Sequence, residues 1–377
     1  MKMKNLFFIL GIAALLFATN ACTKKETVPK NKIKVGVFAG NGVSPICVLE
    51  TLEALKIDTQ IQAEAISSAQ IMNNKLDSID VLIFPGGSGS QELNNLGING
   101  AKKVKNFVEN GKKILGICAG GFILSTTPTY PSLKIAAAKN IDRKHYHRGR
   151  GLIQVALTKK GEQIFPELKN HKVFLQYFDG PILEPLDSNN IKYTELAKYV
   201  TDIHAVPGTP SGITPGKTFM LTQKIGKGKI FIIGGHAEST PGMRWMVPRM
   251  VRFLFDGKIV KYPDKWIHPE INDSAIMFTP KLQKIEKNYF WNLLNDTPQV
   301  RIEAMKKLHA LRSRPAVRWT MGMLRDNNPQ VRQTAAFILE KCEYTAALPD
   351  IKQAIKNEKN PQTLKQLKQT ENFLSSF

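Results

Sequence analysis

Short apolar runs alternate with helical spacings along the first two thirds of the chain. Ile33-Lys34-Val35-Gly36-Val37-Phe38 reads as a buried strand and Ala39-Gly40-Asn41-Gly42 as the turn after it. Ser44 stands where a helix cap is expected, and Val48, Leu49, Leu52 and Leu55 then recur at helical spacing. Thr59 to Ile66 reads as a second strand and Ala69 to Leu76 as a helix. Val81-Leu82-Ile83-Phe84 runs into Pro85-Gly86-Gly87, and Ile114-Leu115-Gly116-Ile117 ends at Cys118. Between them, Ala101 to Asn110 is a basic amphipathic helix closed by Gly111. Strands of this kind, apolar on both faces and separated by helices, predict a parallel sheet covered on both sides. Ligand sites in such sheets lie beyond the carboxyl ends of the strands, where these glycine-rich turns fall.

From about Leu133 to Lys229 the pattern is strands and loops with several prolines. Met220 to Lys224 and Lys229 to Ile233 predict a hairpin around Ile225-Gly226-Lys227-Gly228, and Arg244 to Phe255 a closing helix. The periodicity then lapses, and 259–279 reads as a connector. A repeat follows it. Pro298-Gln299-Val300-Arg301 returns as Pro329-Gln330-Val331-Arg332 after 31 residues, and as Pro361-Gln362-Thr363-Leu364 after another 32. Each is preceded by an Asn and an acidic residue. Proline in a first turn behind polar cap residues starts a helix. A period near 30 residues with paired helices is that of an α-solenoid, similar to short HEAT repeats. Such an array at 280–377 is expected to contact a protein partner or to pack on the preceding domain.

The first residues set an expectation of place. Lys2 and Lys4 precede the apolar run Leu6–Ala18, which is short for a bilayer span and has the build of a signal peptide. Thr19-Asn20-Ala21-Cys22 then resembles the lipobox of bacterial lipoproteins, with Thr19 where Leu is usual. The resemblance implies a signal peptide at 1–21, lipid on Cys22 and a polar spacer to residue 31. It also implies a protein anchored in the bacterial cell envelope. Plain secretion and a retained anchor are the alternatives.

Composition narrows little else. With 42% apolar residues, the 377-residue chain can bury a core, and four cysteines are too few for a disulfide scaffold. The net charge of +22 raises nucleic-acid binding. The basic excess is spread over the chain without an accompanying recognition motif, so a basic solvated surface is expected and no specific nucleic-acid partner.

The chemistry concentrates in two stretches. Gly116-Ile117-Cys118-Ala119-Gly120-Gly121 places one nucleophilic residue between glycines where a strand passes into a helix, the logic of a nucleophile elbow. A small buried cysteine in a tight turn is the plainer reading. Gly234-Gly235-His236-Ala237-Glu238 follows another apolar strand; His236 would activate the thiol and Glu238 would orient the imidazole.

With Pro85-Gly86-Gly87 these stretches stand in the order found in class I glutamine amidotransferase-like domains. Asn41-Gly42-Val43-Ser44, Cys47-Val48-Leu49-Glu50-Thr51-Leu52 and His147-Arg148-Gly149-Arg150-Gly151 resemble more closely the N-terminal domain of biotin-protein ligases and its stand-alone bacterial relatives. The resemblance covers roughly Ile33 to Phe255, within a domain drawn at 32–258. It implies an α/β, flavodoxin-like parallel sheet with helices on both faces, followed by the small all-α array. It also implies Cys118 as nucleophile, His236 as base, Glu238 as orienting acid, and the N–H groups of Gly87 and Ala119 as oxyanion hole. Glutaminases of the class carry Gln four residues after the cysteine, where this chain has Phe122, and Ala237 replaces the usual Pro. Glutamine itself is therefore doubtful as substrate. No ligase core is expected in the remaining length.

Asn41, Gly86, Phe122, His147, Arg148 and Asp179 are the further pocket candidates. His145 and His147 alternate as on a strand but lack a third ligand, so no metal is expected, and no cofactor motif is present. Cys47, just past the first strand, reads as a buried thiol, with a disulfide to Cys118 as the second reading; Cys342 reads as core. Two functions remain: cysteine-dependent hydrolysis or transfer at an amide bond of a small amide or peptide, or a non-catalytic pocket that binds a ligand.

Overall fold

The computed structural model describes residues 32–377, which form one compact unit. Cys22 and the signal segment lie outside the described residues. The first half of the α/β region runs β1 (Ile33–Phe38), α1 (Pro45–Leu55), β2 (Ile61–Ile66), α2 (Ser68–Met72), β3 (Val81–Phe84), α3 (Gly89–Glu109), β4 (Lys113–Ile117) and α4 (Ala119–Leu124). The second half runs β5 (Ala138–Asn140), β6 (Arg150–Leu157), α5 (Lys159–Ile164), β7 (Val173–Phe178), β8 (Leu183–Pro185), β9 (Thr194–Tyr199), β10 (Thr218–Ile225), β11 (Gly228–Ile233) and α6 (Met246–Asp256).

Strands β2, β1, β3, β4 and β11 lie side by side and parallel. Beyond β11 the sheet turns antiparallel through β10, β9 and β6, because β10 and β11 form the expected hairpin, with Met220 opposite Ile233. Alternation along the parallel strands builds two cores. Val81, Ile83, Leu115, Ile117, Phe231 and Ile233 face α1 and α6. Leu82, Phe84, Ile114, Ile230 and Ile232 face α3 and α4. The inner strands β3, β4 and β11 are thus largely apolar runs because both their faces are covered, whereas the edge strand β2 exposes Gln62 and Glu64.

Local differences from the sequence reading have simple causes. Ser44 does precede α1, but its side chain makes no capping bond; its N–H donates to Gly86 O and Pro45 opens the helix. Helix α3 begins well before Ala101 and is kinked at Gly97, whose φ of 63° is outside the helical region. Residues 259–279 are more than a connector, since β12 (Ile276–Met277) adds to the sheet edge against β6.

The remaining chain is helical: α7 (Pro280–Asn292), α8 (Pro298–Ala310), α9 (Ala316–Gly322), α10 (Pro329–Lys341), α11 (Leu348–Asn357) and α12 (Pro361–Leu374). The three repeat motifs open α8, α10 and α12, each with its proline in the first turn. Leu293, Met305, Leu308, Val331, Leu339 and Leu367 form a core of their own, against which Ile46 of α1 packs. Buried polar bonds complete the docking: Gly242 N–H donates to Glu343 Oε2 at 2.8 Å, and Arg244 Nη2 to Thr345 Oγ1 at 2.8 Å. No helix among the described residues is long and apolar enough to cross a membrane.

Candidate active site

Cys118 is the hinge between β4 and α4. Its φ of 51° and ψ of −106° lie outside the regions open to ordinary residues, a strain on the order of 1–3 kcal/mol. Close packing of glycines enforces it. A Cβ on Gly120 would come within 2.1 Å of Phe84 O, and one on Gly116 within 2.5 Å of Gly120 O. The Cys118 N–H donates to Ile233 O at 3.0 Å, and its thiol to Phe178 O at 3.4 Å.

Strand β11 delivers His236 to the same place. Its backbone N–H donates to Gln176 O at 2.8 Å, and its Nδ1 lies 2.7 Å from Glu238 Oε1, with both side chains buried. Burial and the nearby Arg314 charge disfavour the imidazolium, but Cys118, as a charge and a hydrogen-bond partner, and Glu238 outweigh them and raise the His236 pKa well above its usual value. Burial works to raise the Glu238 carboxyl; His236 and Arg314 overcome it and hold the carboxyl below its usual range. Gly86 supports the ring, since a Cβ there would lie 2.7 Å from His236 Cε1 and 2.8 Å from Cys47 Sγ. The Gly87 and Ala119 N–H groups donate to no backbone carbonyl among the described residues. Ala119 stands first in α4, where helix geometry leaves the N–H without an internal partner.

These residues open on a cleft of about 820 Å³ between the sheet and the helical region, within the range of small-molecule sites. Cys118, His236 and Gly87 line it, with Cys47, Glu50 and Gln176 from the α/β region and Arg314, Trp319 and Met323 from the helices. The other sequence candidates lie apart from its lining. Asn41 is exposed and its N–H donates to Asn95 Oδ1; Phe122 packs on Tyr130. Arg148 is 2% exposed and donates to Asp142, Ile203 O and Pro210 O, which makes it a structural tie. Asp179, at φ 46°, accepts from the Arg148 and Gly149 N–H groups and pairs with His147. It thereby fixes the turn beside Phe178, whose carbonyl receives the Cys118 thiol. His145 and His147 sit in a loop, not on a strand, and each has an aspartate partner.

Cys47 and Cys118 are both free thiols. Donor atoms of Cys47, His236 and Glu238 gather within 4.8 Å of one another, but the Arg314 guanidinium stands 3.3 Å from Cys47 Sγ, where its charge opposes a cation. The sequence reading missed Glu50 and Arg314. Glu50 had a signal, because it lies three residues after Cys47 on one face of α1; Arg314 had none.

A cysteine elbow and a histidine–carboxylate pair at the strand ends of a parallel α/β core define an amidotransferase-like domain. Within that class the chain belongs to the biotin-protein ligase N-terminal family, whose model matches residues 33–249. It is also 27% identical over 155 residues to cobyric acid synthase of Prochlorococcus marinus (strain MIT 9515), a match spanning 40% of this chain and 28% of that relative. Among solved structures, a ThuA-like protein of Parabacteroides merdae ATCC 43184 matches with TM-score 0.46 at 11% identity, over 62% of this chain and 93% of that one. A cytoplasmic protein of Salmonella typhimurium matches with TM-score 0.38 at 14% identity, over 59% and 98%.

Proposed function

We propose that the chain is an envelope-anchored enzyme that hydrolyses or transfers an amide through Cys118. The observation that carries this reading is the strained Cys118 elbow, in one cleft with His236, whose imidazole is held from behind by the buried Glu238. A backbone this strained persists where the surroundings demand it, and a nucleophile elbow gives it a use.

The sulfur attacks the amide carbonyl as the thiolate, its proton already held by His236 Nε2. The oxyanion forms against the Gly87 and Ala119 N–H groups. Collapse breaks the C–N bond, and His236 returns the proton to the leaving amine. Water or a second amine, deprotonated by His236, attacks the thioester; the C–S bond breaks and the thiol recovers its proton. Glu238 holds the imidazole in the required tautomer throughout. The substrate class is a small amide or a peptide. Phe122, where glutaminases carry Gln, speaks against glutamine. Lipid on Cys22 would hold this body at the periplasmic or outward face of a membrane, and the helical array, read as HEAT-like, would meet a protein partner.

The test is the pH dependence of Cys118 alkylation, beside His236→Ala. A midpoint well below about 8.5, the free-thiol value, and displaced by the substitution supports catalysis. An ordinary thiol indifferent to His236 sinks it and leaves the ligand-binding reading, which Phe122 favours.

A further inference from the structure

The segment from Leu311 to Pro315, between α8 and α9, leaves the helical stack and is pinned against the α/β region. Arg312, in the left-handed region at φ 55°, accepts from Gln176 Nε2 at 2.9 Å through its carbonyl. Its guanidinium donates to Ile271 O at 2.7 Å. Ser313 Oγ donates to Glu286, which also pairs with Arg150 beside the cleft. These ties place the next side chain, Arg314, between α1 and the His236–Glu238 turn. Its Nη2 lies 2.5 Å from Glu50 Oε2, 3.3 Å from Cys47 Sγ and 3.8 Å from Glu238 Oε1.

That guanidinium touches Glu50, Cys47 and Glu238 behind the imidazole. Cys47 and Glu50 face it from α1, and Glu238 with His236 from the turn after β11. Cys118 lies across the imidazole on the elbow, Glu92 of α3 acts on Cys47, and Tyr344, with Arg244 and Arg318 beside it, faces Glu50. Glu50 would otherwise be a buried carboxylate facing a thiol. Cys47, 3% exposed, would be held neutral by its burial; the Arg314 charge and the neighbouring His236 reverse that and lower its pKa. The same charge opposes protonation of His236, so it limits how firmly Glu238 fixes the imidazolium.

We propose that Arg314 is a positioning residue which the helical region supplies to the Cys118 site, setting the charge on Cys47 and on the His236–Glu238 pair. The helical region is then part of the catalytic unit as well as a docking surface. The proposal rests on the reading of Cys118 as nucleophile.

The test follows iodoacetamide alkylation of Cys47 and Cys118 in the full chain, peptide by peptide from pH 5 to 10. The variants are Arg314→Gln, Arg314→Lys, Glu50→Gln and His236→Ala. In Arg314→Gln, Cys47 alkylation at pH 7 falls about tenfold or more and its midpoint rises. The Cys118 midpoint moves the other way, because His236 keeps its proton longer. Arg314→Lys restores part of the Cys47 rate. Glu50→Gln removes the anion that neutralises Arg314, so it displaces both midpoints with the opposite signs, and it decides the matter should Arg314→Gln not fold. Profiles unchanged in Arg314→Gln and Glu50→Gln overturn the proposal. So do midpoints that both rise in Arg314→Gln toward free-thiol behaviour, the mark of a merely loosened structure. A Cys118 profile indifferent to His236→Ala overturns the nucleophile reading instead.

Discussion

His236 Nδ1 lies 2.7 Å from Glu238 Oε1, and neither side chain is more than 2% exposed. The carboxylate accepts only from an Nδ1 that carries the proton, which leaves Nε2 free to serve Cys118. The two groups stabilise the fold over overlapping ranges. Glu238, with its pKa depressed, contributes above its unfolded value and loses that contribution as pH falls through the lowered one. His236, with its pKa raised, contributes below about 6.5 and loses it as pH rises through the raised value. Glu238→Gln removes the charge and lets an amide N–H face Nδ1, selecting the wrong tautomer. Cys118 alkylation at pH 7 is expected to fall at least about tenfold, and turnover of an amide substrate by about 10⁴. Wild-type alkylation rates in Glu238→Gln would show that the pair does not act on Cys118.

Glu92 carries a separate pH dependence. It is fully buried at the start of α3, and neither carboxyl oxygen has a hydrogen-bond partner among the described residues. Burial, with a smaller push from Cys47, raises its pKa to about 8. From about 4.3, the unfolded value, up to about 8, the folded chain holds a proton that the unfolded chain has released. Stability therefore falls as pH rises across that window and levels off above it. Glu92→Gln is neutral throughout. Its melting curve should lie near the wild type at pH 5 and show a gain on the order of 4 kcal/mol at pH 9. Parallel curves for the two proteins across this range would remove the buried proton from the account.

How much of this was legible depended on how local each signal is. The inner parallel strands declared themselves because burial on both faces makes each a largely apolar run. The elbow did so because only glycine fits at 2.1 Å from a strand carbonyl. The repeat prolines marked the starts of α8, α10 and α12. Long-range polar contacts leave no such trace. Arg148 stands among the pocket candidates of the sequence, yet its donors go to Asp142 and two loop carbonyls. Arg314 meets Cys47 from 267 residues away, and nothing in its neighbourhood announces it.

The elbow glycines make a paired test. A methyl group on Gly120 would meet the Phe84 carbonyl, which belongs to a central strand and cannot yield. Gly120→Ala should cost more than about 2 kcal/mol by overpacking and displace Cys118. Gly97, in the α3 kink, has φ 63° and ψ 179°, and a Cβ there would meet no atom of the described residues within 4 Å. Gly97→Ala should therefore cost only backbone strain, on the order of 1–3 kcal/mol because φ 63° with ψ 179° is a nearly glycine-only conformation, and leave Cys118 alkylation unchanged. Thermal melts and alkylation rates measured together check both. Wild-type Cys118 alkylation in Gly120→Ala would contradict the packing argument.

The repeats are joined by an arginine ladder that a substitution can cut. Arg301 grips Asp326 through Nε and Nη2, and its Nη1 donates to the carbonyls of Asn295 and Asp296. Arg332 does the same one repeat later, with Glu358 as the acid and the carbonyls of Asp326 and Asn327 behind it. Leu364 stands at the third position, where the motif ends. Each arginine thus ties its own helix start to that of the next repeat, a geometry that needs a planar, forked donor. Arg332→Ala should destabilise the protein by about 2–3 kcal/mol, the worth of hydrogen bonds to charged groups, and Arg332→Lys should recover less than half of that. The pH dependence has a definite sign. The Arg332 hydrogen bond leads in lowering the Glu358 pKa, so the contribution is present above the unfolded value of about 4.3 and is lost as pH falls through the lowered one. Denaturant unfolding of wild type and Arg332→Ala should differ at pH 7 and converge as pH falls through the lowered Glu358 value. A difference that persists undiminished in acid would assign the loss to the arginine's packing instead of its ion pair.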